Sequence, residues 1–528
     1  MNDVKSLSRI FAGALLGTAL AAGAVQAADG WDITPLVLPG DFIGGKTIVK
    51  VYPNVDMDEA GNVAFIADFM ESGTSGRGIF TQDRVVVIVG DVISDSIKTE
   101  EITDINPDIS NSRPSIANGT VAYVANSNTL GAAFNQTIYG VFMEQTWVVH
   151  PGDQLDVFGD IASRPFCCPA SMNSSGTVAF NSGASNTPNE IPGFPGNFNT
   201  GQAIYTKPID VASSVVIRAN QTYEAGTARE NTLSQVRETD ISNGGDVVSK
   251  VSIHNGDGSS SGAIMLNDTF AILPGDPIGP TTYGGGGGTV SINNLGNEIA
   301  FGGTIAYLTG FRNALMTSTR VVATQNEVKD GITIIGLGFQ EINDSDAVAY
   351  LASHGVVFGS RRGALFLDDD LVAKPGDVTN DGQQLIDVAS VFDNGGTGPT
   401  KAGVGFNNAG DIAFGASYDE GGATLYGLFV AAPMSEDPVE QTVALIEDVV
   451  AVVEAQSLAL NHGLSKKLLA SLDDVGKQIE KGHIDAAIDQ LNDFIDLVVW
   501  FEGKGRLTTD QRDSLAGTAQ VIIDTLTA

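Results

Sequence analysis

Cysteine and histidine are scarce in this chain of 528 residues, which contains only 2 cysteines and 5 histidines. Two cysteines cannot build a disulfide framework or a cysteine-rich zinc site. The histidines show neither His-x-x-x-His spacing nor a Cys/His partner close in sequence, so they do not predict a set of zinc ligands. We therefore assign no catalytic residue and no metal ligand from the sequence, and the ligand-binding residues stay unknown.

Basic residues are also few: 28 Lys and Arg stand against 63 Asp and Glu, which gives a formal charge of −35 and an isoelectric point near 4.2. Such a surface repels phosphate backbones and anionic lipids, so we expect no nucleic-acid partner. Hydrophobic residues make up 42% of the chain, which is enough for a substantial core. The length exceeds that of one compact core and indicates several domains or a repeat architecture.

Long hydrophobic runs are absent beyond the N-terminus. There, Lys5 and Arg9 precede an apolar run over residues 10–25, and Val25-Gln26-Ala27 has small residues at the positions that a signal peptidase reads. We predict a signal peptide over residues 1–27, cleaved near Ala27, and a secreted or periplasmic mature chain without a membrane span. A retained N-terminal anchor is the alternative.

Glycine, by contrast, is abundant, with 63 residues, and much of it falls in a degenerate repeat. The repeat joins a glycine turn to a short apolar run, as in Gly61-Asn62-Val63-Ala64-Phe65 and Gly176-Thr177-Val178-Ala179-Phe180. A second strand-like segment follows, and then a Val-rich segment that often ends in Gly-Asp. Seven copies, spaced by about 58 residues on average, begin at Gly61, Gly119, Gly176, Gly245, Gly296, Asp346 and Gly410.

This repeat predicts a seven-bladed β-propeller. Glycine turns supply the positive φ angles of tight hairpins, and Val, Ile, Phe and Tyr suit a pleated strand. Each unit offers about four short strands, too few to bury both faces alone, so the units must stack on one another. Radial stacking of four-stranded units makes a propeller, and the long spacing implies surface insertions. Tandem β-sandwiches are the alternative.

The start of the mature chain is predicted to close the ring. The seventh unit ends with residues 425–430 and has no Gly-Asp segment of its own. A spare segment of that kind stands at Pro35-Leu36-Val37-Leu38-Pro39-Gly40-Asp41. We expect it to pair into the last blade, because this arrangement leaves no exposed sheet edge. The expected β-propeller domain covers residues 28–434.

From Asp437 onward the sequence changes character. Asp437-Pro438 followed by Glu440 is typical of a helix N-terminus. Apolar residues then recur at spacings of three and four, and Gly463, Gly482 and Gly503 stand where helices should stop. The pattern predicts a small bundle of four amphipathic helices over residues 435–528, an all-α module after a mainly β domain.

Glycine and apolar positions follow one another in a specific order in this tail. They are Gly463-Leu464, Lys467-Leu468-Leu469, Leu472, Gly482, Ala486-Ala487, Leu491, Phe494-Ile495, Gly503-Lys504 and Leu507-Thr508. In this order the region resembles the FIMAH domain, a small helical module appended to bacterial secreted hydrolases, adhesins and other surface proteins. The resemblance implies an accessory role and brings no catalytic residue. The β region resembles the propeller-like repeats of exported bacterial proteins of unknown role.

Three local features bear on disulfide, metal and phosphate chemistry. The adjacent Cys167 and Cys168 are compatible with a vicinal disulfide in an oxidising compartment, with reduced thiols or pairing to another chain as alternatives. Residues 377–382 have the pattern that starts a calcium loop, but Val388 stands at the twelfth position, so we expect a plain turn and no cofactor, with calcium as the alternative. The glycine run over 284–288 precedes a strand and predicts a flexible loop, not a phosphate site.

These observations favour an exported, non-catalytic binding or surface-interaction protein that presents a propeller face to an extracellular protein or glycan. A hydrolase or lyase acting on an extracellular polysaccharide is the first alternative, and a structural component of an extracellular matrix is the second. Two or three carboxyl groups or histidines that converge in the central channel with shifted pKa values would favour the enzyme. Whether the protein has any activity stays open at this point.

Overall fold

The chain falls into two compact units. The first unit ends at Pro433, and the second begins at Met434. The computed structural model describes residues 30–434 with gaps at 95–98, 106–112, 130–137, 150–160, 166–168, 186–200, 209–212, 220, 256, 258, 287, 308–309, 358–359 and 389–402. In the second unit it describes residues 483–508 and further positions between 467 and 523.

The first unit consists of seven antiparallel sheets, numbered here as blades 1 to 7 in chain order. The chain enters through β1 (Trp31–Val37). Blade 1 contains β2 (Phe42–Ile43), β3 (Lys46–Met57), β4 (Val63–Glu71), β5 (Thr74–Thr81) and β6 (Val85–Ile88). Blade 2 contains β7 (Val92–Ser94), β8 (Thr99–Asp104), β9 (Ser115–Ala117), β10 (Thr120–Thr129), β11 (Ile138–Met143) and β12 (Thr146–Val149). Blade 3 contains β13 (Ile161–Pro165), β14 (Ser171–Met172), β15 (Val178–Ser185), β16 (Gly201–Lys207) and β17 (Ser214–Arg218).

The remaining four blades follow the same order. Blade 4 contains β18 (Thr222–Tyr223), β19 (Asn231–Ile241), β20 (Val247–His254), β21 (Ser260–Leu266) and β22 (Thr269–Ile272). Blade 5 contains β23 (Pro277–Ile278), β24 (Thr281–Gly285), β25 (Val290–Ile292), β26 (Ile299–Tyr307), β27 (Gly310–Thr317) and β28 (Val321–Thr324). Blade 6 contains β29 (Val328–Lys329), β30 (Ile332–Ile342), β31 (Val348–Val357), β32 (Ser360–Leu367) and β33 (Asp370–Ala373). Blade 7 contains β34 (Gln384–Val388), β35 (Val404–Phe406), β36 (Ile412–Glu420) and β37 (Ala423–Pro433), together with β1.

The sheets are arranged as a closed ring, which confirms the predicted seven-bladed β-propeller. The innermost strands contact one another in sequence around the axis: β3 with β9, β9 with β14, β14 with β19, β19 with β25, β25 with β30, β30 with β35, and β35 again with β3. A tandem array of sandwiches would not bring the first and last of these strands together. Each blade therefore packs between two neighbours, and blade 7 packs against blade 1.

Strand β1 closes blade 7 as expected, but it lies further toward the N-terminus than the predicted segment. It pairs antiparallel with β37, from Trp31 opposite Pro433 to Val37 opposite Leu428. The following Pro39-Gly40-Asp41 forms the turn into blade 1: Gly40 has a φ of +100°, and the Leu38 N–H donates to Asp41 Oδ2 at 2.7 Å. The Gly-Asp pair thus starts the next blade and does not extend the strand.

The seven predicted turns adopt the same backbone conformation. Gly61, for example, has a φ of +78° and donates its N–H to the Asp58 carbonyl at 3.0 Å. Asp346 stands where the other copies have glycine, and it also has a positive φ, of +62°. The shared conformation explains why glycine dominates this position, since a side chain is strained there. All seven positions have positive φ: Gly61, Gly119, Gly176, Gly245, Gly296, Asp346 and Gly410.

The last residue of the apolar run fills the same core position in every blade. It sits opposite a residue of the third strand of its blade, and in five blades both partners are aromatic with stacked rings whose centroids lie 5.2–5.9 Å apart. Burial of each such side chain contributes about 1.5–3 kcal/mol. The seven opposed pairs are Phe65–Phe80, Tyr123–Phe142, Phe180–Tyr205, Ser249–Met265, Phe301–Met316, Tyr350–Phe366 and Phe414–Phe429.

The glycine run over 284–288 is a packing device, which corrects the expectation of a flexible loop. Gly284 and Gly285 belong to β24. A Cβ on Gly288 would lie 2.5 Å from the Gly302 Cα, and a Cβ on Gly262 would lie 2.1 Å from the Gly286 carbonyl oxygen. At these described glycines side chains are excluded because backbones approach too closely, between blades 4 and 5 at Gly286 and within blade 5 at Gly288.

The second unit is helical and has its own core. Helix α1 (Ile484–Gly503) spans 20 residues, and helical positions occur on both sides of it, as at Leu468 and Leu515. Leu468, Leu472, Leu491 and Val498 are fully buried in one apolar cluster. The first of the predicted helices, from Asp437, lies outside the described residues. None of the helices in the described part of the chain combines the length and apolarity needed to cross a membrane.

The paired glycines of the blade 4 turn allow a matched test of this backbone. Gly245 has a φ of +90°, whereas Gly244 has no positive φ, and a Cβ on Gly244 would meet its nearest atoms at an ordinary 3.6 Å. We expect Gly245→Ala to lower the free energy of unfolding by about 1–2 kcal/mol and Gly244→Ala to lower it by less than about 0.5 kcal/mol. Urea unfolding measures both, and equal effects would contradict the turn assignment.

Candidate functional site

A pocket lies on the axis of the propeller, where the seven innermost strands meet. Its empty volume is about 1020 Å³, including the part open to solvent. Every blade contributes to its wall, through β3, β9, β14, β19, β25, β30 and β35 or the turns beside them. Clefts in which several structural elements meet are common ligand sites. The pocket is therefore the place where residues distant in sequence come together.

Arg113 joins four blades at the wall of this pocket. It precedes β9 of blade 2, and its Nε donates to the Val55 carbonyl of blade 1 at 3.0 Å. Its Nη2 donates to Asp56 Oδ1 and to the Val404 carbonyl of blade 7, both at 2.9 Å. The same nitrogen lies 2.5 Å from Glu341 Oε1 of blade 6. A planar, multiply donating guanidinium is suited to such a junction, because one side chain satisfies acceptors in several directions.

Asp240 of β19 joins the three other blades. Its Oδ2 accepts the Ile292 N–H of blade 5 at 3.0 Å, and its Oδ1 accepts the Ile241 N–H at 2.9 Å and the Ser171 hydroxyl of blade 3. Asp56 has a similar role between blades 1 and 2, since its Oδ2 accepts the Ile116 N–H at 2.9 Å. Arg113 and Asp240 together connect all seven blades at the axis.

Burial shifts the pKa values of these groups. It raises the pKa of Glu341 to about 8, with Arg113 opposing the rise and the charges of Asp240 and Asp56 adding to it. Burial also raises the pKa of Asp56, again against Arg113, and the pKa of Asp240 against the hydrogen bond from Ser171. For Arg113, burial is outweighed by the charges of Glu341 and Asp56, so its pKa is raised. The guanidinium stays charged, and Glu341 beside it is protonated at neutral pH.

Glu238 lines the pocket two residues before Asp240. Its Oε2 is shielded from solvent and has no hydrogen-bond partner in the described part of the chain. Burial raises its pKa, while the positive charges of Lys250 and Arg237 oppose the rise. Buried polar atoms are normally hydrogen-bonded, and an unpartnered one points to a missing ligand, ion or water. Among the described residues of the pocket wall, Glu238 is therefore the one with a buried carboxyl oxygen that lacks a hydrogen-bond donor.

The mouth of the pocket carries a ring of polar residues, the polar rim, with one residue from each blade. Each lies in the repeated turn, directly before the positive-φ position in blade 2 and one residue further upstream in the other blades. Neighbouring blades bind one another here: the Ser174 N–H donates to Asn243 Oδ1 and Asn408 Nδ2 donates to Asp344 Oδ2, at 2.8 and 2.7 Å. Glu59 accepts from the Asn408 N–H of the neighbouring blade 7 at 3.0 Å, and also from Asn294 Nδ2 of blade 5, which is not a neighbour in the ring, at 2.5 Å. The rim consists of Glu59, Asn118, Ser174, Asn243, Asn294, Asp344 and Asn408.

The features singled out in the sequence are not among the described residues that line the pocket. Cys167 and Cys168 fall between β13 and β14 and are outside the described residues, so a vicinal disulfide stays a prediction. Asp377 is buried and caps its own turn, since its Oδ2 accepts the Lys374 N–H at 2.9 Å. Asp381 Oδ1 accepts the Thr379 hydroxyl at 2.6 Å. Among the described residues, no group of three His, Cys, Asp or Glu is arranged to hold a metal ion.

The carboxyl groups of the pocket were not assigned from the sequence, although the rim could have been. Every rim residue is polar and lies in the repeated turn, so aligning the seven turns would have exposed the ring. Asp56, Asp240 and Glu341 also share one position of the repeat, opposite Ala64, Val248 and Ala349 of the next strand. Only the closed ring brings these carboxyl groups together with Arg113 and Glu238.

Fold and site define a seven-bladed β-propeller with an acidic axial pocket, followed by a helical module. Residues 446–524 match the family model of the FIMAH domain, which confirms the resemblance of the tail. No curated protein sequence matches the chain at a significant level.

Several solved structures are similar at low identity. A sialidase from Trypanosoma rangeli is 9% identical with a TM-score of 0.28, over 82% of this chain and 63% of the sialidase, so the chain spans less than two thirds of that enzyme. A Hadza microbial sialidase is 12% identical with a TM-score of 0.28, over 70% of this chain and 73% of its own. A gluconolactonase from Xanthomonas campestris is 10% identical with a TM-score of 0.18, over 56% and 98%.

Removal of Arg113 tests whether the junction holds the ring. We expect Arg113→Ala to lower the free energy of unfolding by about 3–5 kcal/mol, because it leaves buried carboxylates without their counter-charge. Arg84 supplies the control: it pairs with Glu144 through two contacts of 2.7 and 2.8 Å, but its side chain is 38% exposed, so Arg84→Ala should cost at most about 1 kcal/mol. Urea unfolding compares the two, and similar losses would refute the junction.

The raised pKa of Glu341 predicts a pH dependence of stability. Between its ordinary value of 4.5 and about 8, the folded chain holds a proton that the unfolded chain has released. The free energy of unfolding therefore falls as pH rises through this window, by about 1.4 kcal/mol for each pH unit. Thermal unfolding from pH 5 to pH 8 should show this fall, and Glu341→Gln should flatten it. An unchanged profile in the variant would exclude Glu341 as the cause.

Proposed function

We propose that this protein is an exported binding protein whose axial pocket recognises a glycan. The observation that carries the proposal is the convergence of carboxyl and amide side chains from blades 1, 2, 4, 5 and 6 on one cavity. Sugar hydroxyls donate and accept hydrogen bonds, and a wall of carboxyl oxygens with an amide rim offers partners for both roles. The low-identity structural neighbours do not enter this argument.

Within the pocket, Glu238 and Glu341 are the groups that best suit direct contact with a ligand. In the described part of the chain, neither of them accepts a hydrogen bond from a backbone N–H, whereas Asp56 and Asp240 do so and are thereby fixed in the wall. The amides of the polar rim lie at the solvent end. A glycan entering from the mouth would meet the rim first and the two glutamates deeper.

The export of the chain and the role of its helical module belong to the same proposal. Export rests on the signal-peptide pattern of residues 1–27. The FIMAH match over residues 446–524 supports an accessory docking module beside the propeller, as in the multidomain surface proteins that carry such domains. A helical module with its own apolar core can serve this role without contributing to the pocket.

A polysaccharide hydrolase is the second candidate, because carboxyl groups with raised pKa values converge at the central channel, the arrangement expected of an enzyme. The pKa of Glu341 is raised to about 8, so this carboxyl group is protonated at neutral pH and could donate a proton to a leaving group. Asp56 and Asp240, which receive hydrogen bonds from backbone N–H groups, line the same cavity and would be the candidate partners of Glu341. Carboxyl groups with perturbed pKa values in a cleft are typical of enzymes but also occur in structural networks.

A glycan array followed by calorimetry tests the binding function on the full chain. We expect at least one glycan to bind and Glu238→Gln to weaken its binding by about tenfold, since the carboxyl group loses its charge. Asp257→Asn is the control, because this aspartate is exposed in the β20–β21 hairpin and should have no effect. Absence of glycan binding, or equal weakening by both variants, would refute the proposal.

The same ligand decides between binding and hydrolysis. Incubation with the bound glycan and analysis of the products should show no cleavage if the protein only binds. Cleavage that Glu341→Gln abolishes, with binding retained, would instead establish the hydrolase.

A further inference from the structure

We propose that the ligand of the axial pocket carries a protonated amine, as in an amino sugar, and that its binding releases protons from the pocket. This inference deepens the proposed glycan-binding function and rests on it. Its basis is the imbalance of charge around the cavity, the saturation of the cation that lines it, and the unpartnered carboxyl oxygen in its wall.

Acidic side chains outnumber basic ones at the pocket. Arg113 is the one cationic residue that lines its described part. Six carboxyl side chains line the same cavity: Asp56, Asp58, Glu59, Glu238, Asp240 and Glu341. If all were ionised, the cavity would hold a large uncompensated negative charge in a partly dry environment, which is costly. Either protons or a cationic ligand must offset this charge.

Arg113 does not provide a site for an anionic ligand. Its Nε and Nη2 already donate to two carbonyl oxygens and lie against Asp56 and Glu341. The ring of Phe339 covers the guanidinium at 4.9 Å from the ring centroid. An incoming anion would also meet the neighbouring carboxyl groups of Asp56 and Glu341. Much of the charge of Arg113 is therefore engaged in the wall, which favours a cationic ligand over an anionic one.

Glu238 gives the second, independent indication of a ligand. Its Oε2 is buried and has no hydrogen-bond partner in the described residues. Lys250 is close enough to influence it, but the Lys250 ammonium donates to the Gly288 carbonyl at 2.8 Å. A hydroxyl group could satisfy the hydrogen-bonding need of Glu238, but an ammonium group would also offset its charge. Charge-assisted hydrogen bonds are about twice as strong as neutral ones.

Proton release follows from the charges that act on the two glutamates. Arg113, Asp240 and Asp56 act on Glu341, and Lys250 and Arg237 act on Glu238. Burial raises the pKa of Glu341 to about 8, so this carboxyl group holds a proton when the pocket is empty, and burial also raises the pKa of Glu238. An ammonium group replaces a proton as the source of positive charge. The displaced proton leaves to solvent, and the total charge of the site is unchanged.

The position of the polar rim fits the remainder of such a ligand. The amides of Asn118, Asn243 and Asn294 lie at the mouth, above the carboxyl groups. An amino sugar placed with its ammonium toward Glu238 would direct hydroxyl groups to these amides. The pocket thus offers buried carboxyl groups together with amide groups from the rim, where the acidic Glu59 and Asp344 also lie.

Calorimetry on the full chain near pH 6 tests the inference with three tetrasaccharides of the same linkage: deacetylated chitotetraose, N-acetylated chitotetraose and cellotetraose. We expect the deacetylated form to bind about tenfold more tightly than the other two. Two buffers of different protonation enthalpy should show the release of about one proton per chain. Glu238→Gln should remove most of this preference, and Asp257→Asn should preserve it. The melting temperatures of both variants verify that they are folded.

Each other result has a defined meaning. Equal affinity for the three sugars would overturn the amine inference and leave glycan binding intact. Preferred binding of the deacetylated form that survives Glu238→Gln, or that about 0.5 M salt abolishes, would show attraction to the acidic surface only and would also overturn it. If none of the three binds, and no glycan binds on the array, the proposed function itself fails.

Discussion

The innermost strands of the seven blades are held together at the axis by hydrogen bonds and ion pairs of buried charged side chains. Arg113 binds acceptors in blades 1, 6 and 7 from its place in blade 2, and Asp240 connects blades 3, 4 and 5. The apolar clusters between neighbouring blades hold each pair together, but they act locally. The axial hydrogen bonds and ion pairs also join blades that are not neighbours in the ring, such as blades 2 and 6.

Joining the blades through a buried arginine places an excess of carboxyl groups at the pocket. A buried guanidinium needs acceptors on several sides, and carboxylates supply the strongest ones. Three of them surround or influence Arg113, so the surroundings hold more negative charge than one cation offsets. Replacing such a network by apolar residues often maintains or improves stability. The presence of this charged network in the wall of an open cavity is better explained by ligand binding than by stability alone.

The repeat could be predicted from the sequence because it follows from local physics. A positive φ needs glycine, and a core position opposite the next strand needs a large apolar residue, so both recur in each blade. The pocket could be predicted only in part. Asp56, Asp240 and Glu341 share one position of the repeat, so aligning the units would have singled them out. The periodic pattern does not tell that this position faces the axis, or that Arg113 and Glu238 lie beside it. The glycines of 284–288 were misinterpreted for a related reason, since close packing between blades is a tertiary constraint.

The pairing of β1 with β37 places Trp31 opposite Pro433, and this geometry affects how the chain can fold. The two strands are about 400 residues apart, which is among the longest contacts that the propeller makes, and such contacts form late. Until Pro433 has left the ribosome, blade 7 presents an unpaired edge that invites association with other chains. A chain interrupted before β37 would keep that edge permanently, so premature termination should yield aggregates instead of a six-bladed ring.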